Sequence, residues 1–310
     1  MALTVVKFVT YAQDYRMMGN YHYMLNIIFF IYFFIPYKRV TLKCSVVSFY
    51  LGAGVLKLNY EWLGAVSLEP RTWLSPYLPH SLLIAMCVYV VILELGVSWF
   101  LLSKNYFICA GALTQFILFH LFSWHIVGFY YPTVMFCLLT IFPLSFIFDP
   151  PDEMKKTSDN RILSRLFTLQ LPPPTYLVLG VFTIAQLIPV LNGGDSSLTS
   201  EGRMLALNMF DSRSMCISKF TVKTGGHSTD VTPQFNFGII LHCDPIVHYD
   251  FAKWLCRYLK NSPSPAGDID VFLQSKRTSD KEYQTIIDVT DFCAKNIRYS
   301  VWGWNDWIKK

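Results

Sequence analysis

Charged residues are scarce in this chain. They make up 15% of its 310 residues, against about 25% in an ordinary soluble domain, whereas hydrophobic residues reach 53%. The apolar residues are collected in long runs, which excludes a soluble globular protein of usual composition. The net charge of +5 does not indicate nucleic-acid binding, because membrane proteins carry excess Lys and Arg in their cytoplasmic loops. We therefore expect a polytopic membrane protein that contacts membrane lipid and has no nucleic-acid partner.

Other patterns are also missing. The N-terminal stretch to Met18 contains Lys7, Asp14 and Arg16 and does not resemble a cleaved signal peptide. The chain has neither the internal repeats nor the paired broken helices expected of a transporter. It contains no N-x-S/T glycosylation sequon and no cysteine or histidine spacing typical of zinc, so no metal site is expected.

The eight cysteines divide evenly between apolar runs and the C-terminal tail. Those in the apolar runs, which we expect to be packing residues, are Cys44, Cys87, Cys109 and Cys137. Those in the tail are Cys216, Cys243, Cys256 and Cys293. The tail set can form up to two disulfides in an oxidising lumen or can stay unpaired, and the spacing does not decide between these alternatives.

Six apolar stretches are long enough to compare with the roughly 20 residues that a helix needs to cross a bilayer. They run over about Tyr21–Pro36, Cys44–Val66, Ser81–Leu102, Tyr106–Phe129, Pro132–Phe148 and Thr175–Leu191. The first is short, and Lys57 and Glu61 interrupt the second. We predict an α-helical membrane domain of about six spans.

Basic residues are concentrated in alternate connections between these stretches. They are Lys38, Arg39, Lys43, Lys104, Lys155, Lys156, Arg161 and Arg165. The positive-inside rule places these connections in the cytoplasm. The C-terminal tail is then lumenal or external, on the same side as the Lys57 end of the second span.

The composition changes after Asn192, where GGDSSLTSEG is typical of a linker. We predict a transmembrane domain over 1–195 and a small soluble α+β domain over 196–310. Within the second domain, FGIILHC and DIDVFLQ predict strands, and IVHYDFAKWLCRYLK predicts a helix. The apolar face of that helix is expected to contain Phe251, Trp254, Leu255, Tyr258 and Leu259.

Lys57 lies in the apolar segment GAGVLKLNYEWLGA. A lysine inside a membrane helix costs about 2.5 to 3.5 kcal/mol, so such a charge usually faces a cavity or a partner. One explanation is structural, namely snorkelling near the end of the span or an ion pair with Glu61 at i+4. The other is chemical, because burial disfavours the ammonium form and a desolvated lysine can act as a base.

The segment around Lys57 resembles a known motif. AGVLKLNYEWLGAVSL is similar to A-G-V-K-K-L-x-x-x-W-x-x-G-x-S of the vitamin K-dependent γ-carboxylases and their bacterial relatives. Lys57 stands on the second lysine of that pattern, Leu56 replaces the first, and Trp62 stands on the tryptophan. Gly64 comes one residue early.

Further stretches resemble the same family in the same order, over about residues 20 to 293. GNYHYMLNI is similar to a run N-N-H-S-Y-L, with Asn20 and His22 on its first asparagine and its histidine. FHLFSWHIVGFYYP is similar to a segment that begins F-H, with His120 on the histidine. EGRMLALNMFDSRS is similar to a run after the last span, and the residues retained there are Met209, Ser212 and Arg213.

The resemblance implies an HTTM-type membrane domain in the endoplasmic reticulum and a carbon-carbon lyase or vitamin K epoxidase type of activity. In that chemistry Lys57 deprotonates vitamin K hydroquinone, and O2 addition generates a strongly basic alkoxide. The alkoxide removes a γ-proton from glutamate before CO2 adds. The implied cofactor is therefore a reduced quinone, with O2 and CO2 as co-substrates and a glutamate-containing polypeptide as partner.

The candidate site residues follow from the resemblance. The candidate catalytic residues are Lys57, His22 and His120. The candidate cofactor-binding residues are Asn20, Trp62 and Glu94, the last standing where relatives carry an acidic residue in the third span. Structural explanations stay open as well: hydrogen bonds between helices for the histidines and a buried structural carboxylate for Glu94. His125 matches no clear family position.

The chain also departs from the family, and two functions stay open. We expect it to lack about two N-terminal spans and most of the lumenal region of the vertebrate enzymes. Asn208 replaces an expected aromatic residue, and DIDVFLQ lacks the S-L-N or S-I-N ending of the family strand. One function is the family's carboxylation. The alternative is a non-catalytic relative that binds quinone or lipid, or a structural subunit that assembles with other membrane subunits.

Overall fold

A computed structural model describes most of the chain, namely residues 5–6, 9–10, 19–66, 68, 75–148, 171–203, 205–207, 214–233, 242–262, 267–300 and 303–310. The chain divides into two compact units. Between residue 19 and the C-terminus, the first unit contains the described residues up to 185 and Leu207. The second contains residues 186–206 and those from 214 onward.

The first unit is helical. Its α-helices are α1 (Asn20–Phe34), α2 (Lys38–Leu56), α3 (Tyr60–Leu63), α4 (His80–Leu95), α5 (Tyr106–Val127), α6 (Tyr130–Leu139), α7 (Ile141–Phe148) and α8 (Pro173–Leu191). Helix α8 ends in the second unit. The 3-10 helices are Ser75–Tyr77 and Val97–Leu102. Within the described ranges, five helical segments are long and apolar enough to cross a membrane: Lys38–Leu56, His80–Leu102, Tyr106–His125, Tyr130–Phe148 and Pro173–Leu191. These five segments overlap five of the six predicted spans. The remaining one, α1, has 15 residues and is shorter than a bilayer requires.

The second predicted span has different boundaries in the structure. Helix α2 begins at Lys38, so the basic residues expected in a loop form its first turns, and it ends at Leu56. Lys57 is therefore the C-terminal cap of α2 and does not lie inside a continuous span to Val66. The chain turns there because Asn59 caps the next helix, its side chain accepting a hydrogen bond from the Trp62 backbone N–H.

Apolar residues cover both the inside and the outside of the first unit. Its core packs α2 against α5, α6 and α7 through buried side chains that include Phe49, Phe116 and Phe142. Its surface also exposes large apolar side chains, for example Leu177 and Ile184, each 65% exposed. A helix that is apolar all round is typical of a membrane span.

The second unit is an α+β domain. An antiparallel sheet has the order β2-β1-β3-β4, and its strands are β1 (Ser214–Thr224), β2 (His227–Val231), β3 (Asp268–Arg277) and β4 (Gln284–Val289). Its helices are α9 (Ser196–Thr199) and α10 (Pro245–Lys260). The strand predicted for DIDVFLQ is confirmed as part of β3, whose residues alternate between buried and half-buried. Most of the strand predicted for FGIILHC lies outside the described residues.

The helix predicted for IVHYDFAKWLCRYLK is confirmed as α10, but its predicted apolar face is partly wrong. Leu255 and Leu259 are buried together with Ala252, whereas Trp254 and Tyr258 are 50% and 61% exposed. The two exposed rings stack on each other at a centroid distance of 5.7 Å. With 3.6 residues per turn, positions 254 and 258 project outside the face centred on residues 252, 255 and 259, so both rings stay exposed.

All four tail cysteines are paired. Cys216 of β1 is bonded to Cys243, just before α10, and Cys256 within α10 is bonded to Cys293 after β4. The two disulfides fasten both the start and the middle of α10 to the rest of the domain. The four cysteines of the first unit are free.

The segment predicted as a linker is a packed part of the second unit. Asp195 caps α9 and forms a bidentate pair with Arg277 of β3, with both N···O distances at 2.7 Å. Partial burial is the largest single effect on the pKa of Asp195 and raises it. The hydrogen bonds and the positive charge of Arg277 together outweigh burial, so the pKa is lowered overall. Glu201, which follows, is buried and accepts hydrogen bonds from the backbone and side chain of Asn305.

Candidate functional site

Lys57 is brought to its position by a close approach between α2 and α4. Gly54 lies one turn before it, and a Cβ atom added there would fall 2.7 Å from the Leu95 side chain and 3.1 Å from the Glu94 Cβ. Only a residue without a side chain allows this approach. The small residues of GAGVLK therefore bring the end of α2 against the end of α4.

Lys57 and Glu94 form a buried ion pair at this contact. The Lys57 Nζ lies 2.7 Å from Oε1 and 2.6 Å from Oε2 of Glu94, and both side chains are almost fully buried, at 2% and 0% exposure. The same ammonium is 3.5 Å from the Ala53 carbonyl oxygen. Sequence reasoning placed both residues among the candidates, but it named Glu61 and not Glu94 as the acidic partner. Glu61 is also buried.

Trp62 covers another side of the ammonium. The Lys57 Nζ lies 5.2 Å from the centroid of the Trp62 ring, which is within the range of a cation–π interaction. The indole N–H donates a hydrogen bond to the Cys87 carbonyl oxygen at 3.0 Å. This bond holds the ring against α4.

A cavity of about 280 Å³ opens beside Lys57. Its lining is mainly aromatic and aliphatic, and it comprises Lys57, Trp62, Leu68, Met86, Cys87, Tyr89, Val90, Gln115, Leu118, Phe119, Phe122, Ser123 and Tyr131. Among these described residues, Lys57 alone carries a formal charge. Leu118 and Tyr89 are 60% and 47% exposed, so the cavity reaches the outer surface of the first unit.

His120 belongs to a second buried polar group close to the first. Its Nε2 lies 2.8 Å from the Tyr50 hydroxyl, and its ring meets the edge of the Tyr131 ring at a centroid distance of 5.7 Å. Its Nδ1 has no hydrogen-bond partner among the described residues. Since Phe119 and Tyr131 line the cavity, His120 lies directly behind the cavity wall, and it interacts electrostatically with Lys57.

Asn20 and His22 are not brought to Lys57 in the same way. Both lie in the first turn of α1, and neither is among the described residues that line the cavity. The His22 ring contacts the Tyr21 ring, which stacks on Tyr130 at 6.2 Å. His125 lies in the last turn of α5 and is exposed. The matched residues Met209, Ser212 and Arg213 lie outside the described residues.

Sequence reasoning missed several polar groups of the site. Tyr50 and Tyr131 had no distinguishing signal, because aromatic residues make up 16% of the chain. Gln115 and Ser123 of α5 line the cavity, and they stand at i and i+8, positions that share one side of a helix, so helical periodicity could have grouped them. Within the described ranges, no group of three or more His, Cys, Asp or Glu side chains is arranged to hold a metal ion.

The second unit contains its own buried polar cluster. Arg203 forms a salt bridge with Asp244, and the His248 Nδ1 lies 3.0 Å from the Asp244 carbonyl oxygen. Burial lowers the pKa of His248 to about 4. Burial also raises the pKa of Asp244, against the opposing effect of the Arg203 charge. This cluster holds the start of α10, and a structural role accounts for it.

Comparison with known proteins adds no relative. No protein-family model, no curated protein and no solved structure matches the chain.

Proposed function

We propose that the chain is a multi-pass membrane protein whose tail faces an oxidising lumen. The five apolar helical segments and the exposed apolar side chains of the first unit support insertion into lipid. The two tail disulfides support an oxidising side, because such bonds persist in the endoplasmic reticulum and outside the cell but not in the cytosol. The protein is expected to stay with the membrane pellet after extraction with alkaline carbonate.

We further propose that the first unit binds a reduced quinone and that Lys57 is the base that deprotonates it. As in the γ-carboxylases that the sequence resembles, the resulting anion would react with O2 to give an alkoxide. The alkoxide would remove a γ-proton from glutamate, and CO2 would then add to the glutamate carbanion. The observation that carries this proposal is the position of Lys57 as the one formal charge among the described lining residues of an apolar cavity.

The size and opening of the cavity fit such a ligand. Small-molecule sites usually measure about 300 to 1,000 Å³. The volume of this cavity, about 280 Å³, is close to the lower end of that range, so the cavity can hold a ring system but not a long isoprenoid tail. The exposed lining residues Leu118 and Tyr89 leave a side opening, through which a tail can extend into the surrounding lipid. The aromatic walls favour a flat apolar ring.

A non-catalytic quinone-binding or lipid-binding protein is the second candidate. The bidentate pairing of Lys57 with Glu94 favours it, because the pair stabilises the ammonium form of Lys57, which has no lone pair with which to accept a proton. The same cavity would then bind its ligand without turnover, alone or within a larger membrane complex.

Epoxidation of vitamin K hydroquinone by the purified protein in detergent separates the two candidates, measured with and without a glutamate peptide. The variants are Lys57→Ala, the double variant Lys57→Ala/Glu94→Gln, which leaves no unpaired carboxylate, and the exposed control Lys104→Ala. The base assignment predicts epoxide from the wild type and the control and at least a 100-fold loss in both Lys57 variants.

Either of two results would contradict the enzyme. Unchanged turnover in a folded Lys57→Ala/Glu94→Gln protein removes Lys57 from the chemistry. Absence of epoxide from wild-type protein that demonstrably binds the hydroquinone favours the non-catalytic candidate.

A further inference from the structure

Glu94 lies behind Lys57 as seen from the cavity. Lys57 lines the cavity, and Glu94 is not among the described residues that line it. A ligand in the cavity can therefore touch Lys57 directly, and Lys57 in turn is hydrogen-bonded to Glu94. We propose that Lys57 and Glu94 form one proton-exchanging pair, in which Glu94 takes the lysine proton and a neutral Lys57 amine faces the ligand. This inference rests on the proposed function for the identity of the ligand.

The geometry of the pair permits this exchange. The ammonium lies within 2.7 Å of both carboxylate oxygens, so a proton can move along either hydrogen bond without movement of the side chains. The backbone also holds the partners in place, since the Ser98 hydroxyl donates to the Glu94 carbonyl oxygen at 2.7 Å. Gly54 permits the close helix contact that sets the separation.

The environment makes the neutral form of the pair accessible. Both side chains are buried, at 2% and 0% exposure, and removal of two charges from water is costly even when they attract each other. Transfer of one proton from nitrogen to oxygen cancels both charges and keeps the hydrogen bond. Buried groups commonly avoid the cost of burial by such neutralisation.

The proton balance is complete within the site. In the resting pair, Lys57 is an ammonium and Glu94 a carboxylate, and internal transfer gives an amine and a carboxylic acid. The amine then accepts the hydroxyl proton of the bound ligand, which leaves a ligand anion beside a Lys57 ammonium. Glu94 remains protonated, so the anion and the ammonium are the two opposite charges, and no external acid or base is consumed.

Glu94 is thus a positioning residue that acts through Lys57, in contrast to the cofactor contact that sequence resemblance suggested. Other polar groups near the pair do not provide the same path. Tyr50 and Tyr131 interact electrostatically with Glu94, but the hydroxyl of Tyr50 is directed to His120. Among the contacts described, the carboxylate oxygens of Glu94 form short hydrogen bonds with Lys57 alone.

Infrared difference spectroscopy of the full-length protein tests the pair directly. The probe is menadiol, the reduced head group of vitamin K, and the spectrum compares protein with and without it. We expect a new protonated carboxyl C=O band that shifts with carbon-13 glutamate, disappears in Glu94→Gln and returns in Glu94→Asp. The band should persist in Glu61→Gln, a matched change of another buried carboxylate.

Menadiol binding is measured on the same samples by equilibrium dialysis. Binding with the Glu94-dependent band supports the inference. Binding without the band, or a band that also survives in Glu94→Gln, overturns the proton exchange and leaves the quinone site standing. Failure of menadiol to bind overturns the proposed function and this inference with it.

Discussion

The Lys57 Nζ is 2.6 Å and 2.7 Å from the two carboxylate oxygens of Glu94, although the residues are 37 positions apart in the chain. Removal of one partner of a buried pair leaves an unpaired charge and typically costs about 3 to 5 kcal/mol. We therefore expect Lys57→Met and Glu94→Leu each to lower the thermal stability of the detergent-solubilised protein strongly.

The double variant Lys57→Met/Glu94→Leu provides the control. Two apolar side chains leave no buried charge, so the double variant should be more stable than either single variant, as buried pairs replaced by apolar residues often are. Melting temperatures of all four proteins complete a double-mutant cycle. Additive losses would show that the two side chains do not act as a pair.

The cavity beside Lys57 should be closed by a larger side chain in its wall. Met86 lines the cavity, whereas Val88 on the same helix is exposed and does not line it. We expect Met86→Trp to weaken menadiol binding by about tenfold or more, since displacement of a ligand contact worth about 1.4 kcal/mol gives that factor. Equal weakening by the control Val88→Trp would contradict the location of the site.

The sequence predicted the parts of the structure that depend on local pattern. Apolar runs of membrane length identified five helical segments, and alternation and helical periodicity identified β3 and α10, because these signals lie within one element. The pairing of Lys57 with Glu94 could not be predicted in this way. It depends on how α2 packs against α4 at Gly54, and a single sequence does not state which helices are neighbours.

The same limit explains the errors around Lys57 and Asp195. A hydropathy window treats Lys57 as an interruption of a span, whereas α2 ends just before Lys57 and Asn59 caps the start of the next helix. The segment after Asn192 has linker composition, yet Asp195 meets Arg277, 82 residues away, and this long-range contact packs it into the second unit. Local composition signals neither the end of α2 at Leu56 nor the contact of Asp195 with Arg277.

The two tail disulfides should leave four reactive thiols per chain. A maleimide reagent added to the denatured, unreduced protein is expected to label Cys44, Cys87, Cys109 and Cys137, and all eight cysteines only after reduction. Labelling of eight before reduction would contradict the pairing. The count needs no assumption about activity.

Removal of the bond between Cys256 and Cys293 should destabilise the second unit. The bond closes a separation of 37 residues, and loss of a native disulfide from a small domain typically costs about 2 to 5 kcal/mol. We expect Cys256→Ala/Cys293→Ala to raise hydrogen exchange throughout β3 and α10. The control Cys137→Ala, an exposed free cysteine, should leave exchange in the tail unchanged.

His248 should make the second unit sensitive to acid. Its pKa is lowered by burial to about 4 in the folded state, against about 6.5 when unfolded. The stability that it contributes is therefore complete above pH 6.5 and is lost as the pH falls towards 4, by about 3 kcal/mol. The raised pKa of Asp244 acts in the opposite direction and offsets part of this loss.

Hydrogen exchange of tail peptides between pH 7 and pH 4, corrected for the intrinsic pH dependence of exchange, measures this effect. The variant His248→Asn removes the titrating ring and should flatten the corrected profile. A wild-type profile as flat as that of the variant would show that the pKa of His248 does not differ between the folded and unfolded states.

The side of the membrane that the tail occupies can be tested at the turn between β1 and β2. Gly226 lies there with open space around it and a φ of +82°, a conformation that asparagine tolerates better than most residues. Because His227 and Ser228 follow, Gly226→Asn places a glycosylation acceptor on an exposed turn of a chain that has none. If the tail is lumenal, expression in a eukaryotic cell should give a glycosylated, endoglycosidase-sensitive protein. The control Gly226→Asn/Ser228→Ala destroys the acceptor and should not be modified. An unmodified Gly226→Asn protein that is folded but has reduced tail cysteines would place the tail in the cytoplasm and reverse the predicted orientation.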